Sequence, residues 1–540
     1  MREVMAIPVE LPLVSSASFG VVFLLVVLFS VLCICHFKHR RHRECFSTIL
    51  AIFTLTVAIL TISVVPIDIF TVSFLKNDNG TYKNWAASNA TREHITNALL
   101  YTYYGLYSCI AALIFLAIPF AIFYYEEKDE DTTTKDQVLG ALKYTVVCLI
   151  FAAALLTIGA FVPLQKIPER NATDWENFQY LLTEIEQTKV ETALYFLMGC
   201  IMLVGMLGFT VYTGFGMVAL PVALIRGYRS ARDELEEVRD TAAGDRARLQ
   251  RLRGKRQQGR KLSSNERRQL ADLQDVDSLN QTRERHLVAV QKRLCYKCSI
   301  LRRPLEVILG IIFFLVAVLV FVSLIIACLD RALHSLGYKT GYVLPFPTYP
   351  NPIEVILLFA QEVFPLDYIL FAGLVAFFVF SSMAGIRRIG IWFCCVKMNK
   401  IRARGTRPQA LLFACMYIMF LMSATNLVLY NLAPDYMTYG HQKFIPANST
   451  TPKQCRTSEA ESDCMMTVVM ALLTKFIYQM WFFGACYYWA NWLFILVVVI
   501  GFVYSVTRKR PSVIHQELDS SDSEVEEDKE LLLPGGCGAP

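Results

Sequence analysis

The chain has 540 residues, of which 55% are hydrophobic and only 18% are charged. Such sparse charge cannot cover a water-soluble particle of this size, and long apolar stretches recur from Val21 to Val506, so we expect one all-α polytopic membrane domain. The net charge of +6 combines an excess of +10 over 226–303 with an excess of −7 over 511–540, a distribution that does not indicate nucleic-acid binding.

Hydropathy predicts nine transmembrane helices in chain order. The first is followed by HFKHRRHR at His36 to Arg43, so the positive-inside rule places the N-terminus in the lumen or outside the cell and the C-terminus in the cytosol. A weak basic n-region and the lack of a cleavage pattern favour an anchor over a signal peptide. The predicted spans are Val14 to Cys35, Phe46 to Phe74, Ile95 to Phe123, Ala141 to Val162, Thr192 to Leu224, Leu305 to Cys328, Asp367 to Gly385, Ala410 to Leu432 and Tyr488 to Val506.

The stretch 465–506 leaves an alternative open, because it can hold one span with an interfacial helix or two spans. Two spans would move the basic Arg508 to Arg510 and the acidic tail into the lumen. Because the N-terminus is predicted outside, only an odd total number of spans keeps these residues in the cytosol, and one span in this stretch is therefore favoured.

Four glycosylation sequons agree with this orientation, at Asn79, Asn89, Asn171 and Asn448. Only asparagines outside the cytosol receive N-glycans. The first two follow span two and the others follow spans four and eight, all on the side predicted to lie outside. We therefore expect four glycosylation sites.

The polar segment between spans five and six divides the chain into four predicted parts. These are a first membrane half at 1–225, a cytosolic helical hairpin at 226–303, a second membrane half at 304–507 and a disordered acidic tail at 508–540. Leucines and valines give both hairpin arms a narrow apolar edge. The alternative is a solvated loop whose arginines only enforce topology, and Arg248 to Lys261 can also lie near anionic lipid.

Cysteine positions predict one disulfide. Most of the 16 cysteines fall in spans or cytosolic segments, whereas Cys455 and Cys464 lie together in an outside loop. A close pair in an oxidising compartment most simply forms a local disulfide. For the cytosolic pair Cys295 and Cys298, the absence of nearby His ligands argues against zinc, and palmitoylation and ordinary membrane-edge cysteines remain alternatives.

The tail carries a candidate sorting signal. Glu527 followed by Leu531 and Leu532 fits the acidic dileucine pattern that clathrin-adaptor subunits recognise. Ser521 and Ser523 each precede an acidic residue by three positions, so phosphorylation there would deepen the negative charge.

Two aspartates lie at the lumenal ends of predicted spans. Asp68 follows Pro66 near the end of span two, and Asp367 follows Pro365 at the start of span seven. Intramembrane carboxylates indicate function by default, here a ligand or ion site, and the alternative is that each caps backbone donors at a helix end. Glu354 and Glu362 precede Asp367 in an apolar stretch that suits a re-entrant helix.

Signatures of catalysis are missing from the sequence. It contains no Gly-rich phosphate loop, no H-E-x-x-H and no nucleophile elbow, which excludes ATP-driven pumping by this chain alone. We expect no enzyme activity, no catalytic residues and no cofactor. Metal binding is also not expected, because His94, His334 and His441 are dispersed single histidines.

Long sequence strings resemble the limb-region-like multispan membrane family, which contains the lipocalin-interacting membrane receptor, and within it the cobalamin transport escort branch. The resemblance runs along most of the chain. It is carried by FYYEEKDED at Phe123 to Asp131, GAFVPL at Gly159 to Leu164, ALHSLG at Ala332 to Gly337, VFPLDYIL at Val363 to Leu370, SMAGIRRIGIWF at Ser382 to Phe393, the segment from Arg404 to Phe413, and LAPDYMTYG at Leu432 to Gly440.

The resemblance implies a nine-span protein needed to move cobalamin, or vitamin B12, from the lysosome to the cytosol. It implies lysosomal and endoplasmic reticulum membranes as its location, with the plasma membrane and clathrin-coated vesicles in addition. The implied partners are an ABC-type cobalamin transporter of subfamily D, a cytosolic cobalamin-processing chaperone, clathrin adaptors and the internalising insulin receptor. Cobalamin would then be a transported ligand rather than a cofactor.

The chain departs from this family at two adaptor-binding motifs of the large loop. The matching positions are Arg232 to Leu235, which lacks the initial aromatic residue, and Cys295 to Cys298, which lacks the final apolar residue. The tail dileucine would then carry adaptor binding. Two other functions remain open: a cobalamin carrier in its own right, favoured if Asp68 and Asp367 line one lumenal cavity, and an endocytic receptor for a lipocalin-like carrier, favoured by large outside loops.

Overall fold

The described part of the chain is almost entirely helical. This computed structural model describes residues 10–38, 45–77, 79–127, 134–161, 189–227, 231–257, 294–344, 347–393, 396–399, 406–446, 451–457, 464–477 and 480–508, with short pieces between 269 and 288. Its α-helices are α1 (Glu10–Phe37), α2 (Cys45–Ser63), α3 (Val65–Phe74), α4 (Asn89–Ala112), α5 (Ile118–Glu126), α6 (Thr134–Phe161), α7 (Lys189–Gly208), α8 (Gly214–Arg226), α9 (Ala231–Gln257), α10 (Leu294–His334), α11 (Pro352–Ala360), α12 (Leu366–Ile389), α13 (Pro408–Leu432), α14 (Pro434–Tyr439), α15 (Val468–Ile477) and α16 (Trp481–Thr507).

Short elements connect these helices. Two antiparallel strand pairs, β1 (Ile391–Phe393) with β2 (Val396–Asn399) and β3 (Lys443–Phe444) with β4 (Lys453–Gln454), make two small sheets. Single π-helical turns at Leu113–Ala117 and Phe209–Thr213 join α4 to α5 and α7 to α8. The first π turn contains Phe115, the residue four positions before Pro119, where proline removes a helical hydrogen bond and clashes with the backbone.

The prediction of nine spans is confirmed: in the described part of the chain, nine helices are long and apolar enough to cross a membrane. Each overlaps one predicted span. Residues 465–506 contain the ten-residue helix α15 and one span, which is the arrangement that parity favours. The observed spans are Phe19–Phe37, Cys45–Phe74, Asn89–Glu126, Thr134–Phe161, Glu191–Arg226, Arg303–His334, Leu366–Ile389, Pro408–Leu432 and Trp481–Thr507.

Burial distinguishes central from peripheral spans. In α13 the most apolar window is 78% buried inside the protein, whereas in α6 the figure is 17%. Close backbone approaches hold α12 to the helix pair α7–α8: a Cβ on Gly216 would overlap the carbonyl of Ser381, and one on Gly385 would overlap the carbonyl of Tyr212. Small residues permit such close crossings, which is the usual basis of helix packing in membranes.

Contacts group the chain into two compact units, one of residues 1–220 and 314–504 and the other of residues 221–313 and 505–540. In the second unit, helix α9 pairs with the helical pieces at 269–288 through the ion pairs Arg239–Glu284, at 2.7 Å, and Arg246–Asp277, at 2.8 Å. Arg246 lies seven residues after Arg239 on α9, whereas its partner Asp277 lies seven residues before Glu284. The two segments are therefore antiparallel.

Two arginines of the second unit satisfy carbonyls at helix C-termini. Arg303 donates to the carbonyls of Leu224 (2.9 Å) and Ile225 (2.7 Å), in the last turn of α8. Arg226 donates to the carbonyls of Ser505 (3.0 Å) and Val506 (2.6 Å), at the end of α16. A positive charge at a helix C-terminus is favoured because the last carbonyls lack helical donors.

Candidate ligand cleft and buried carboxylates

A cleft of about 760 Å³ lies where two candidate spans end. Phe74, the last residue of α3, lines one side, and Asp367, the second residue of α12, lines another. Four chain segments supply its walls. The lining residues are Phe70, Ser73, Phe74, Lys76, Asn77, Lys83, Leu358, Gln361, Glu362, Phe364, Asp367, Tyr368, His441, Lys443 and Gln454.

Hydrogen bonds join these four segments at the base of the cleft. The Gln361 amide donates to the carbonyl of Gly440 at 3.3 Å and accepts from the Gln454 amide at 2.9 Å. The backbone N–H of His441 donates to the Ser73 hydroxyl at 2.9 Å. Because these partners come from distant parts of the sequence, the cleft depends on the complete fold.

Cationic side chains outnumber acidic ones around the cleft. Three lysines line it, against the two carboxylates of Glu362 and Asp367. The ammonium group of Lys83 lies 3.3 Å from the ring centre of Phe74, and that of Lys76 lies 4.9 Å from the ring centre of Tyr82. Cation–π contacts of this kind hold the lysine side chains against aromatic faces. The cleft therefore suits an anionic ligand that also has an apolar part.

Asp367, predicted as a candidate ligand residue, lies at this cleft in a nearly buried position. Its carboxylate accepts a hydrogen bond from the Tyr436 hydroxyl at 3.1 Å. Tyr436 is itself fully buried, in α14. The side chain thus connects the cleft to the interior of the fold.

Asp68, the second candidate, is fully buried and is not among the residues that line the cleft. Its carboxylate accepts from the backbone N–H groups of Val468 (3.3 Å) and Val469 (2.8 Å), at the start of α15, and from the Tyr103 hydroxyl (3.4 Å). Asp68 therefore caps a helix that is distant in sequence rather than its own. Within the described residues, Asp68 and Asp367 do not line this cleft together. The cleft therefore does not provide the shared cavity that would favour a cobalamin carrier.

Three further buried carboxylates bind backbone donors in the same way. Glu354 accepts from the N–H of Asp435 at 2.6 Å, at the start of α14. Asp435 accepts from the N–H of Thr457 at 2.9 Å, and Asp330 accepts from the N–H of Thr348 at 2.8 Å. A buried N–H without an acceptor is costly, so each carboxylate fixes a turn or helix start in place.

The helix α11, which holds Glu354, lies outside the nine candidate spans of the described chain. It buries one face, including Glu354, and exposes Val355, Ile356 and Phe359 on the other. Burial beside Asp435 raises the pKa of Glu354 to about 8. Its carboxyl group is consequently neutral in acid and charged in alkaline solution.

Sequence reasoning named Asp68, Glu354, Glu362 and Asp367 but missed the other residues of this region. Asp330 and Asp435 lie just beyond long apolar runs, and Asp435 follows Pro434. A carboxylate next to the end of an apolar run was therefore the available signal. The lysines of the cleft carry no comparable signal, because single lysines in polar loops are ordinary surface residues.

The other predicted sites are distributed along the chain. Asn79 and Asn89 are exposed, the former in a turn where the Gly80 N–H donates to the Asn77 carbonyl at 2.9 Å. Cys455 and Cys464 form a disulfide, with 6.2 Å between their Cα atoms. Sites that lie outside the described residues are Asn171, Asn448, Ser521, Ser523, Glu527, Leu531 and Leu532. Among the residues that the structure describes, no group of three His, Cys, Asp or Glu side chains is arranged to hold a metal ion.

Comparison with known proteins places the chain among multispan membrane proteins. The family model "LMBR1-like membrane protein" matches residues 15–244. The "Probable lysosomal cobalamin transporter" of Nematostella vectensis is 43% identical over 97% of this chain and 99% of its own length. The "Lysosomal cobalamin transport escort protein LMBD1" of Danio rerio is 44% identical over 95% and 96%, and that of Gallus gallus is 42% identical over 95% and 96%. No solved structure matches the chain.

Proposed function

The chain belongs to the LMBR1-like membrane protein family, and on that basis we propose that it is a lysosomal membrane protein needed to export cobalamin from the lysosome to the cytosol. It acts as an escort and adaptor and not as an enzyme. The observation that carries this proposal is identity of 40–44% over nearly the full length of relatives named for lysosomal cobalamin transport.

Active export needs an energy source, which in this proposal belongs to a partner. The partner is an ABC-type cobalamin transporter of subfamily D, and a cytosolic cobalamin-processing chaperone receives the vitamin. The sequence supports this division of labour, because it carries no phosphate-binding loop. Helix α9 and the helical pieces at 269–288 offer such partners a cytosolic surface, on which the ion pairs Arg239–Glu284 and Arg246–Asp277 align the two segments.

The proposed orientation has the N-terminus in the lumen and the C-terminus in the cytosol. The positive-inside rule supports it, since Arg226 and Arg303 lie at the ends of spans five and six next to the strongly basic segment. Asn79 and Asn89 are exposed after span two, as glycosylated residues must be. The cleft at Asp367 then faces the lumenal side.

Sorting in this proposal depends on the tail. The acidic dileucine of Glu527, Leu531 and Leu532 binds clathrin adaptors and directs the protein between the endoplasmic reticulum, the plasma membrane and the lysosome. Phosphorylation of Ser521 and Ser523 tunes that binding. The same adaptor contact is the route by which the protein would join insulin-receptor internalisation.

The test uses cells whose own escort protein has been removed. Expression of this chain is expected to restore the passage of labelled cobalamin from lysosomes to the cytosol, and the ABC transporter is expected to co-purify with it. Leu531→Ala with Leu532→Ala should shift the protein to the cell surface while leaving co-purification intact. Unchanged lysosomal retention of cobalamin after expression of correctly delivered protein would contradict the proposal.

A further inference from the structure

The cleft at Asp367 lies at the ends of two candidate spans, the level at which a membrane surface is expected. Span two ends at Phe74 and span seven begins at Leu366, and the residues beside both ends line the cleft. One apolar lining residue, Phe364, is 73% accessible, and Ile369, in the first turn of α12 next to the cleft-lining Asp367 and Tyr368, is 60% accessible. Exposed aromatic and aliphatic groups at a span end are typical of contact with lipid at the headgroup level.

The polar side of the cleft carries positive charge at the same level. The segments that hold Lys76 and Lys83 are paired across a turn, with the Lys83 N–H donating to the Leu75 carbonyl at 3.1 Å. Lys443 lines the cleft from strand β3. The hydrogen bond between Gln361 and Gln454 joins the β3–β4 pair to the turn that precedes α12. Two acidic residues also line the cleft, Glu362 in that turn and Asp367 at the start of α12, and both oppose an anion.

We propose that this cleft binds the headgroup of an anionic phospholipid, with the phosphate at Lys76, Lys83 and Lys443 and the acyl chains against Phe364 and Ile369. A cationic wall beside an exposed apolar rim favours an anion that carries an apolar part over an anion that has none. A volume of about 760 Å³ accommodates a lipid headgroup, because ordinary ligand pockets span roughly 300 to 1,000 Å³. The site does not depend on the proposed role in cobalamin export.

The test measures lipid binding by full-length protein reconstituted in nanodiscs of phosphatidylcholine with and without phosphatidylglycerol. Lys443→Gln is expected to weaken phosphatidylglycerol binding about fivefold, since one lysine near a membrane surface contributes about 1 kcal/mol. Glu362→Gln removes the opposing charge from the same cleft and should strengthen binding. Lys339→Gln is the matched control, because Lys339 is an exposed lysine outside the cleft.

Two outcomes would overturn the proposal. One is equal weakening by Lys443→Gln and Lys339→Gln, which would reflect net charge and not a site. The other is equal protection against thermal unfolding by glycerol 3-phosphate and by phosphatidylglycerol, which would indicate a pocket for free phosphate esters.

A second measurement on the unmodified sequence is independent of whether any variant folds. A phosphatidylglycerol analogue with a photoreactive headgroup should cross-link to peptides from 70–83 or 441–454 and compete with unlabelled phosphatidylglycerol but not with phosphatidylcholine. Cross-links confined to other segments would refute the site.

Discussion

The carboxylate of Asp68 accepts a hydrogen bond of 2.8 Å from the backbone N–H of Val469, which follows it by 401 residues along the chain. This bond joins the end of span two to the start of α15. It gives an intramembrane carboxylate a structural role that does not require a transported ligand.

Replacement of Asp68 by Ala should destabilise the folded protein by about 2 to 4 kcal/mol, because two buried N–H groups at the start of α15 lose their acceptor. Asp68→Asn keeps one acceptor oxygen and should have a smaller effect. Thermal unfolding of purified protein in detergent measures both. Asp240→Asn changes an exposed carboxylate in α9 and serves as the control. Equal unfolding temperatures for Asp68→Ala and Asp240→Asn would show that the hydrogen bonds from Asp68 to the start of α15 do not contribute to stability.

Stability should decrease as the pH rises from about 4.5 to about 8, the interval between the ordinary pKa of a glutamate and the raised pKa of Glu354. In that interval the folded protein holds a proton on Glu354 that the unfolded chain releases, so the stabilisation is complete below 4.5 and is lost toward 8. Asp435 opposes ionisation of Glu354, whereas Arg456 favours it.

Unfolding temperatures measured across that range test this pH dependence. Glu354→Gln should flatten the curve, because the amide cannot ionise. Glu93→Gln, at an exposed position in α4, should leave the curve unchanged. A wild-type curve that rises with pH over the same interval would have the wrong sign for a buried, protonated Glu354.

Cys455→Ser should lower stability by roughly 2 to 3 kcal/mol, since a disulfide across a short loop restricts the unfolded chain. Part of that loop packs on Tyr439 and Phe444, so its loss also loosens a small apolar cluster. Cys35→Ser, at an exposed free cysteine, is the control. A lumen-accessible maleimide should label one additional thiol in Cys455→Ser. Identical labelling of wild type and variant without reductant would show that the bond does not form in the cell.

The antiparallel pairing of α9 can be tested by cross-linking. Cysteines placed at Arg239 and Glu284, whose side chains meet at 2.7 Å, should react efficiently with a short bismaleimide. Cysteines at Arg239 and Asp277 are displaced by two helical turns, or about 10 Å, and should react poorly. The yield of cross-linked chain on a denaturing gel is the measurement. Equal yields for both pairs would indicate that the register is not fixed.

Local sequence determined the spans, and tertiary contacts determined the site. The nine apolar runs are each long enough to cross a membrane, so composition in a short window is sufficient to predict them. The partner of Asp68 could not be found in this way, because neither helical period nor hydropathy relates positions as distant as 68 and 469. The cleft was missed for the same reason: Ser73, Gln361 and Gln454 become neighbours only after the helices have packed.

Asp68 also imposes an order of events on biosynthesis. At about 5 to 20 residues per second, the ribosome needs roughly 20 to 80 s after making Asp68 to reach Val469. For most of that time span two has left the ribosome, while its carboxylate lacks the two backbone donors that hold it in the finished protein. In a nascent chain that stops before α15, the Asp68 carboxylate therefore lacks both of these backbone donors, and of its three described hydrogen bonds only the one from Tyr103 can form.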